Sequence, residues 1–304
     1  MTPPMVSFIT WNRLGLTDRN LKALLRTDED FELYLADNGS RDGTWDYLCS
    51  LTDPRIRSRI RFDANRGPVY AANYHLSRRR KDQYFITVDS DVNIHCPDWI
   101  RKFMEVFREF PEIGLLGAVT KEYLSRYRQP MVCHRKGTAC YLEIVKGFVE
   151  GCCQCLRPEL TERIGYWNEE CCTGDMELSY RVLNHTPYKA GFHPSVEIDQ
   201  LQYIPCGSCG AAEFCGSFHK EGVDFGNEST KGLCFQIHEK NYRNPQFRNR
   251  FRHKYLKFIR ELENGSRGVC CGSVHDEASM MRNRYDLHSA SENFRYYETQ
   301  SSGS

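Results

Sequence analysis

The hydrophobic and polar positions of the first 120 residues alternate between two patterns. Short apolar runs typical of buried strands occur at residues 5–9, 31–36, 84–88 and 113–119. Residues 56–62 alternate apolar and basic side chains, which predicts an edge strand. Between these runs apolar residues recur at helical spacing, and helices are predicted to start at Thr17, Thr44, Pro68 and Pro97.

This order of elements predicts an α/β fold with a mostly parallel sheet and helices on both faces. Because ligands of such sheets bind beyond the carboxyl ends of the strands, the residues that follow each strand are the candidates for a binding site. These positions are polar here: Thr10, Asn12 and Arg13 after the first strand, Asp37 after the second, Asn65 and Gly67 after the third, and Asp89, Ser90 and Asp91 after the fourth.

The composition narrows the class of protein. The chain has 304 residues with 41 basic and 40 acidic side chains, so its formal charge of +1 does not indicate a protein held to nucleic acid by a broad basic surface. The longest uncharged apolar run, Ile113–Val119, is too short to cross a bilayer, and the N-terminus lacks the basic-then-apolar pattern of a signal peptide. We therefore expect a soluble protein of the cytoplasm.

Cysteine is unusually frequent, with 15 residues in the chain. Disulfide frameworks are typical of short secreted chains, whereas this chain is long, rich in apolar residues and without an export pattern. We expect most of the thiols to be reduced, and Cys49, Cys140 and Cys155 to lie in the interior as small apolar side chains.

Asp89 and Asp91 flank a single residue at the end of an apolar strand. Two carboxylates at this position supply the hard oxygen ligands that suit Mg²⁺ or Mn²⁺ holding a diphosphate. Pairs of this kind also occur as solvated turn residues or helix caps, so the spacing by itself leaves both interpretations open.

Five stretches of the chain together carry a resemblance to a known family. They are VSFITWNR (6–13), LADNGSRDGT (35–44), ANRGPVYAAN (64–73), YFITVDSDV (84–92) and GDMELSYR (174–181). In their order and spacing they resemble the inverting nucleotide-sugar glycosyltransferases of family 2. The resemblance implies the Rossmann-like GT-A fold of that family, a nucleotide diphosphate sugar as donor, and Mn²⁺ or Mg²⁺ as cofactor.

The resemblance also implies a role for each matching residue. The residues expected to hold the nucleoside, ribose and diphosphate of the donor are Thr10, Asn12, Arg13, Asp37, Asn65, Gly67 and Asn73. Asp89 resembles the family's ribose or sugar contact, Asp91 its direct metal ligand, and Ser90 lies between them in the same donor-binding turn. The expected metal site includes both aspartates. Arg181 is expected to be either an ion-pair partner or a contact with the diphosphate.

Asp175, in the stretch Gly174-Asp175-Met176-Glu177, matches the family's catalytic carboxylate. An inverting transfer is a single displacement at the anomeric carbon and needs a base on the acceptor side. A helix start at this position favours the ionised carboxylate, which then takes the proton of the acceptor hydroxyl. A helix N-terminal residue without a catalytic role is the alternative that the residues alone leave open.

The sequence departs from the family where a histidine often completes the metal site. Asp199 and Gln200 stand near that place, and His193 is the candidate substitute a few residues earlier. A single histidine is also common as a core or surface residue, so the third metal ligand stays open.

The character of the chain changes after residue 204, and two regions are expected. Residues 1–204 are expected to form the catalytic domain and residues 205–304 a C-terminal extension. Cys206 and Cys209 have the spacing of a pair that can share a tetrahedral zinc, but this Gly-rich segment has no evident second pair, so zinc binding by Cys206, Cys209 and Cys215 stays open. Residues 245–262 predict a basic amphipathic helix that either packs on the catalytic domain or contacts an anionic membrane surface, and the last residues predict a poorly ordered tail.

The leading hypothesis is a metal-dependent, inverting glycosyltransferase that moves a sugar to a hydroxyl of a glycan, a lipid-linked saccharide or another acceptor. A nucleotidyltransferase shares the sheet and the carboxylates, but residues 11–15 match its basic, Gly-rich phosphate loop poorly. A non-catalytic module that binds nucleic acid or membrane through the basic helix is the alternative from another class, and it predicts no saturable binding of uridine or guanosine diphosphate.

Overall fold

The computed structural model describes residues 2–11, 14–63, 68–120, 130–145, 147–167 and 174–200. The predictions for Asn12, Arg13, Asn65 and Gly67 lie outside the described residues. So do those for the C-terminal extension, with its cysteines, basic helix and tail.

The described residues form ten strands and six helices. The strands are β1 (Met5–Thr10), β2 (Glu32–Asp37), β3 (Ile56–Arg61), β4 (Phe85–Asp89), β5 (Val92–Ile94), β6 (Ile113–Val119), β7 (Met131–Lys136), β8 (Ala139–Ile144), β9 (Cys153–Leu156) and β10 (Lys189–Gln200). The helices are α1 (Leu14–Leu24), α2 (Thr44–Ser50), α3 (Pro68–Leu76), α4 (Trp99–Glu109), α5 (Pro158–Ile164) and α6 (Gly174–His185).

The strands pair in the order β3-β2-β1-β4-β9-β6-β10-β8-β7, and β5 pairs with β10 outside this path. Strands β3, β2, β1 and β4 are parallel to one another, as the alternation of strands and helices predicts. Strand β9 is inserted antiparallel between β4 and β6, and the hairpin of β7 and β8 closes the far edge of the sheet. The carboxyl ends of β1, β2 and β4 therefore lie side by side.

Helices cover both faces of the sheet and divide the core into two clusters. On one face α3, α5 and α6 pack through residues such as Ala72, Leu160 and Leu178. On the other face α1, α2 and α4 pack through residues such as Leu21, Leu48 and Phe103. Strands with helices on both faces are buried on both sides, which explains the continuous apolar runs seen in the sequence.

The sequence pattern locates the elements of the first half within a few residues. Helix α1 begins at Leu14, three residues before the predicted Thr17, because the Asp42 carboxylate accepts a hydrogen bond from the Leu14 N–H at 2.9 Å. The Thr17 hydroxyl instead lies 2.6 Å from that of Thr10 in the core. Strand β3 is an edge strand, as predicted.

The seven cysteines of the described residues are all free thiols. Cys140 and Cys155 are buried, as expected. The expectation for Cys49 is wrong, because this residue lies on the solvent side of the short helix α2 and is exposed. Within the described ranges, no helix combines the length and the apolar character needed to span a bilayer.

Candidate active site

The ends of β1 and β2 bring Thr10 and Asp37 into register as neighbours. The Asn38 N–H donates to the Thr10 carbonyl at 2.8 Å, so the turn after β2 is attached to β1. The Thr10 side chain is buried, and its hydroxyl lies 2.6 Å from that of Thr17. Thr10 therefore joins β1 to α1 beside the expected nucleoside site.

Asp37 has a fully buried carboxylate at the carboxyl edge of the sheet. Its Oδ1 accepts a hydrogen bond from the Ser40 N–H at 3.0 Å, and its Oδ2 lies 3.5 Å from Nε of Arg61. Burial raises the pKa of Asp37, while hydrogen bonds from Ser40 and the charge of Arg61 act in the opposite direction. Arg61 is a residue that the sequence analysis missed, because only the register of β2 and β3 places it beside Asp37.

Trp11 follows Thr10 directly and leaves 42% of its surface exposed. A large aromatic ring exposed at the carboxyl end of a parallel sheet is available to stack on a planar ligand group. Trp11 stands in the stretch 6–13 without a predicted role, although an indole beside a polar turn is the signal that points to it.

The Asp89-Ser90-Asp91 turn is held by its backbone. The Ser90 N–H donates to the carbonyl of Ile9 at 3.2 Å, and the Asn20 side-chain amide donates to the Ser90 carbonyl at 2.6 Å. Ser90 is buried, so its part in the site is to fix the turn between the two aspartates.

A second turn, formed by Glu150, Gly151 and Cys152, faces the first. The Asp89 N–H donates to the Cys152 carbonyl at 2.9 Å. Burial raises the pKa of the Cys152 thiol, and the negative charges of Glu150, Asp89 and Asp91 raise it further. The charges of three carboxylates thus act on one buried thiol, and Glu150 is a neighbour of the acidic turn that the sequence did not predict.

Asp175 reaches the same turn from α6, where it is the second residue of the helix. Its Oδ2 accepts a hydrogen bond from the Gly151 N–H at 3.3 Å, while the Gly151 carbonyl accepts one from the Thr87 hydroxyl at 3.2 Å. One turn further along α6, the Ser179 hydroxyl accepts a hydrogen bond from the Val149 N–H at 3.0 Å. These two hydrogen bonds, from Gly151 to Asp175 and from Val149 to Ser179, therefore fix α6 against residues 149–151.

Gly117 on β6 makes room for this arrangement. A Cβ atom at Gly117 would lie 2.4 Å from Cγ1 of Val149, a distance that requires the chain to move. The close approach of Val149 to β6 places the residues that follow it, Gly151 and Cys152, where they bind Asp175 of α6 and Asp89 of β4.

Two residues expected at the donor site make buried contacts with the backbone. The Asn73 side chain is buried; its amide donates to the Trp167 carbonyl at 3.0 Å, and its Oδ1 accepts from the Trp167 N–H at 2.9 Å. Arg181 is buried as well, and its guanidinium donates to the carbonyls of Ile164 and Tyr166. These contacts hold the segment that precedes α6, and a contact of either residue with the donor stays a prediction.

His193 packs against α4 on the other face of the sheet. Its ring lies 6.3 Å from that of Phe103, and its Nδ1 accepts a hydrogen bond from the Ser195 N–H at 3.1 Å. Burial lowers the pKa of His193 to about 4, and the nearby charge of Lys102 acts in the same direction. That His193 completes a metal site stays a prediction.

The acidic turn suits a divalent cation that is shared with a substrate. In the part of the chain that the structure describes, no three His, Cys, Asp or Glu side chains are grouped to hold a metal ion. Mg²⁺ and Mn²⁺ commonly bind through one or two carboxylates, completing their coordination with substrate phosphates and water. Asp89 and Asp91, at the carboxyl edge of the sheet, fit this way of binding a cation.

Comparison with known proteins gives the family and the fold. The family model for Glycosyl transferase family 2 matches residues 6–165, more than half of the chain. The uncharacterized glycosyltransferase YfnE of Bacillus subtilis (strain 168) is 35% identical over 102 residues, which are 33% of this chain and 25% of that protein. The chain thus spans about a quarter of the length of this curated relative.

Two solved structures show the same fold at low identity. The mannosyltransferase PcManGT from Pyrobaculum calidifontis, in complex with GDP-Man and Mn²⁺, has a TM-score of 0.53 and 17% identity, covering 66% of this chain and 58% of that one. S. aureus TarS 1–349 in complex with UDP has a TM-score of 0.50 and 16% identity, covering 65% and 59%. The sheet order and the family match agree: the chain belongs to Glycosyl transferase family 2 and has a GT-A fold.

Proposed function

We propose that this glycosyltransferase uses a nucleoside diphosphate sugar and a divalent cation, and that it inverts the anomeric carbon with Asp175 as general base. The observation that carries the proposal is the shared turn: Asp175 accepts a hydrogen bond from Gly151, and Asp89 donates one to Cys152. This turn joins a candidate base to the carboxylates that suit the diphosphate end of a donor.

The nucleoside end is supported by Asp37 and Trp11. The buried Asp37 carboxylate is an acceptor for a base that presents an N–H group, such as uracil or guanine. The exposed Trp11 indole supplies a face on which such a base can stack. The similar structures were solved with GDP-Man or UDP, whose bases carry this N–H group.

The diphosphate end is supported by Asp89 and Asp91. Taking up two more negative charges beside these carboxylates is unfavourable unless a cation offsets the repulsion. A bound Mn²⁺ or Mg²⁺ supplies Lewis-acid stabilisation of the departing diphosphate. The residues of this chain fix the turn through Ile9 and Asn20, so the two carboxylates stay in place when the donor leaves.

The acceptor side is supported by the position of Asp175. The first turn of α6 favours a negative charge, because the helix dipole has its positive end there. The Gly151 N–H fixes the direction of the carboxylate. In the proposed displacement the acceptor oxygen forms a bond to the anomeric carbon, its proton moves to Asp175, and the bond to the diphosphate oxygen breaks with its electron pair going to that oxygen.

The experiment is calorimetry and product analysis with the full chain. UDP and GDP are titrated with Mn²⁺, with Mg²⁺ and with excess chelator, using Asp91→Asn and, as control, Asp82→Asn at the opposite end of β4. We expect saturable binding that needs the cation, lost in Asp91→Asn and kept in Asp82→Asn. Transfer from the nucleotide sugar that binds is then followed by proton NMR, which reports the anomeric configuration of the first product. Binding that ignores the chelator, or a retained configuration, would contradict the proposal.

A further inference from the structure

Asp37 and Arg61 are register partners at the carboxyl ends of the parallel strands β2 and β3. The guanidinium of Arg61 makes two contacts there: its Nε lies 3.5 Å from Oδ2 of Asp37, and its Nη2 donates to the carbonyl of Ser40 at 2.6 Å. The Ser40 N–H in turn donates to Oδ1 of Asp37. Arg61, Ser40 and Asp37 therefore form a closed ring of contacts.

Within this ring the two carboxylate oxygens differ. Oδ1 is engaged by Ser40, whereas Oδ2 is buried and accepts no hydrogen bond from the described residues. A buried carboxylate oxygen without a donor costs free energy, and the strand end around it is where a ligand of this fold binds. Oδ2 is thus the atom that a donor group of the ligand satisfies.

The charge of Asp37 depends on its neighbours. Burial is the largest influence and raises the pKa of this carboxyl, and the negative charge of Asp42 acts in the same direction. The hydrogen bonds from Ser40 and the positive charge of Arg61 oppose it. Arg61 supplies positive charge beside Asp37, and about half of its side chain is exposed, so its position also depends on the contact with Ser40.

We propose that Arg61 is a positioning residue of the nucleoside site: it keeps the Asp37 carboxylate ionised and its Oδ2 directed at an N–H group of the base. This inference rests on the proposed function, because it assigns the group that controls the proposed base contact. In a protonated Asp37 the proton takes Oδ2, the oxygen without a donor, so the base N–H meets an O–H group and a weaker, uncharged acceptor. Nucleotide affinity therefore follows the ionisation of Asp37, and Arg61 sets the pH range in which the site binds.

A purely structural role makes a different prediction. If Arg61 only ties β3 to Ser40, its removal loosens the turn and weakens binding equally at every pH. If it acts on the charge of Asp37, its removal weakens binding most at acidic pH, where the carboxylate takes up a proton, and least at alkaline pH. The sign follows from the chemistry: binding is present above the pKa of Asp37 and is lost as the pH falls through it.

The experiment compares the full chain with Arg61→Gln, Arg61→Lys and the control Arg57→Gln. Arg57 lies on the same strand, is about half exposed and pairs with Glu32 at 3.8 Å, away from Asp37. The Kd for UDP and for GDP is measured with Mn²⁺ between about pH 5 and about pH 8, and the Asp37 carboxyl is titrated by carbon NMR in the nucleotide-free protein.

We expect Arg61→Gln to weaken the tighter of the two nucleotides by about tenfold at the acidic end of this range, with recovery toward the wild-type Kd at its alkaline end. The Asp37 titration moves to higher pH in Arg61→Gln, while Arg61→Lys and Arg57→Gln keep both profiles. A loss of affinity that is the same at every pH, or an unmoved Asp37 titration, would overturn the inference and leave the proposed function standing. If the Asp37 titration moves but wild type binds neither nucleotide, the proposed function fails and the charge coupling stands.

Discussion

The N–H of Gly151 donates a hydrogen bond to Oδ2 of Asp175 at 3.3 Å, which ties the candidate base to the loop before β9. The next residue of that loop, Cys152, accepts a hydrogen bond from the N–H of Asp89. A displacement at a sugar carbon needs its base and its leaving-group site held at a fixed separation. In this chain two adjacent residues, Gly151 and Cys152, are bound to the candidate base and to the turn of the candidate metal ligands.

Substitutions of Gly151 test whether this turn positions Asp175. A Cβ atom at Gly151 would lie 3.4 Å from Cβ of Asp175, which is an ordinary contact, but the branched side chain of valine needs space that Asp175 occupies. We expect Gly151→Val to lower kcat by about tenfold to about a hundredfold and to leave the Kd for the nucleotide within about twofold. Gly151→Ala is the matched control and keeps kcat near wild type. Equal kcat values for the two variants would contradict the positioning role.

Substitution of Arg181 tests whether this buried cation supports the fold. Its guanidinium donates to the carbonyls of Ile164 and Tyr166, and a lysine cannot reproduce this fork of two donors. We expect Arg181→Lys to lower the free energy of unfolding by about 1–3 kcal/mol, measured by urea denaturation, because a buried carbonyl loses its donor. The exposed Arg163→Lys in α5 is the control and leaves stability unchanged.

The nucleotide affinities separate this role from a diphosphate contact. If Arg181 only supports the fold, UDP and UMP keep the same ratio of Kd values in Arg181→Lys as in wild type. If UDP binds more weakly while the affinity for UMP and the stability are unchanged, Arg181 contacts the diphosphate.

Two buried histidines predict that the fold loses stability in acid. Burial lowers the pKa of His75 to about 3, helped by the charge of Arg78, and burial lowers that of His193 to about 4. The unfolded chain binds these protons near pH 6.5 and the folded protein does not, so this contribution is complete above about pH 6.5 and is lost as the pH falls. Each proton adds a slope of about 1.4 kcal/mol per pH unit to the free energy of unfolding in that window.

Urea denaturation of His75→Gln between about pH 4 and about pH 7 measures the contribution of His75. The His75 ring nitrogen Nδ1 lies 2.7 Å from the Ser7 hydroxyl, so Ser7→Ala removes the same hydrogen bond and keeps the histidine. We expect His75→Gln to reduce the acid slope by about one proton and Ser7→Ala to keep it. An unchanged slope in His75→Gln would show that the ring is already protonated in the folded protein.

The strands and helices of the first half and the position of the acidic turn could be predicted because both follow from local patterns in the sequence. Apolar runs and helical spacing located β1, β2, β6 and their helices, and the aspartates at strand ends follow from the rule that parallel sheets bind at their carboxyl edge. The short strand β9 gives no alternating pattern because it lies in the middle of the sheet and is buried on both faces.

The direction of individual side chains could not be predicted in the same way. Asn73 and Arg181 stand in the stretches that carry the family resemblance, yet both turn inward and bind backbone groups of residues 164–167. Arg61 and Glu150 are outside those stretches and reach the site only through strand register and a turn. A one-dimensional pattern gives the position of a residue but not the partner that its side chain meets across the fold.

The most direct measurement of the central claim is the turnover of Asp175→Asn beside Glu159→Gln. Both residues lie in the first turn of a helix, and Glu159 is an exposed acid in α5 with no contact to the turn of Gly151. With the nucleotide sugar that wild type uses, the account predicts that Asp175→Asn lowers kcat by at least about a hundredfold with little change in donor Kd, and that Glu159→Gln keeps wild-type turnover. Wild-type kcat in Asp175→Asn would contradict the account.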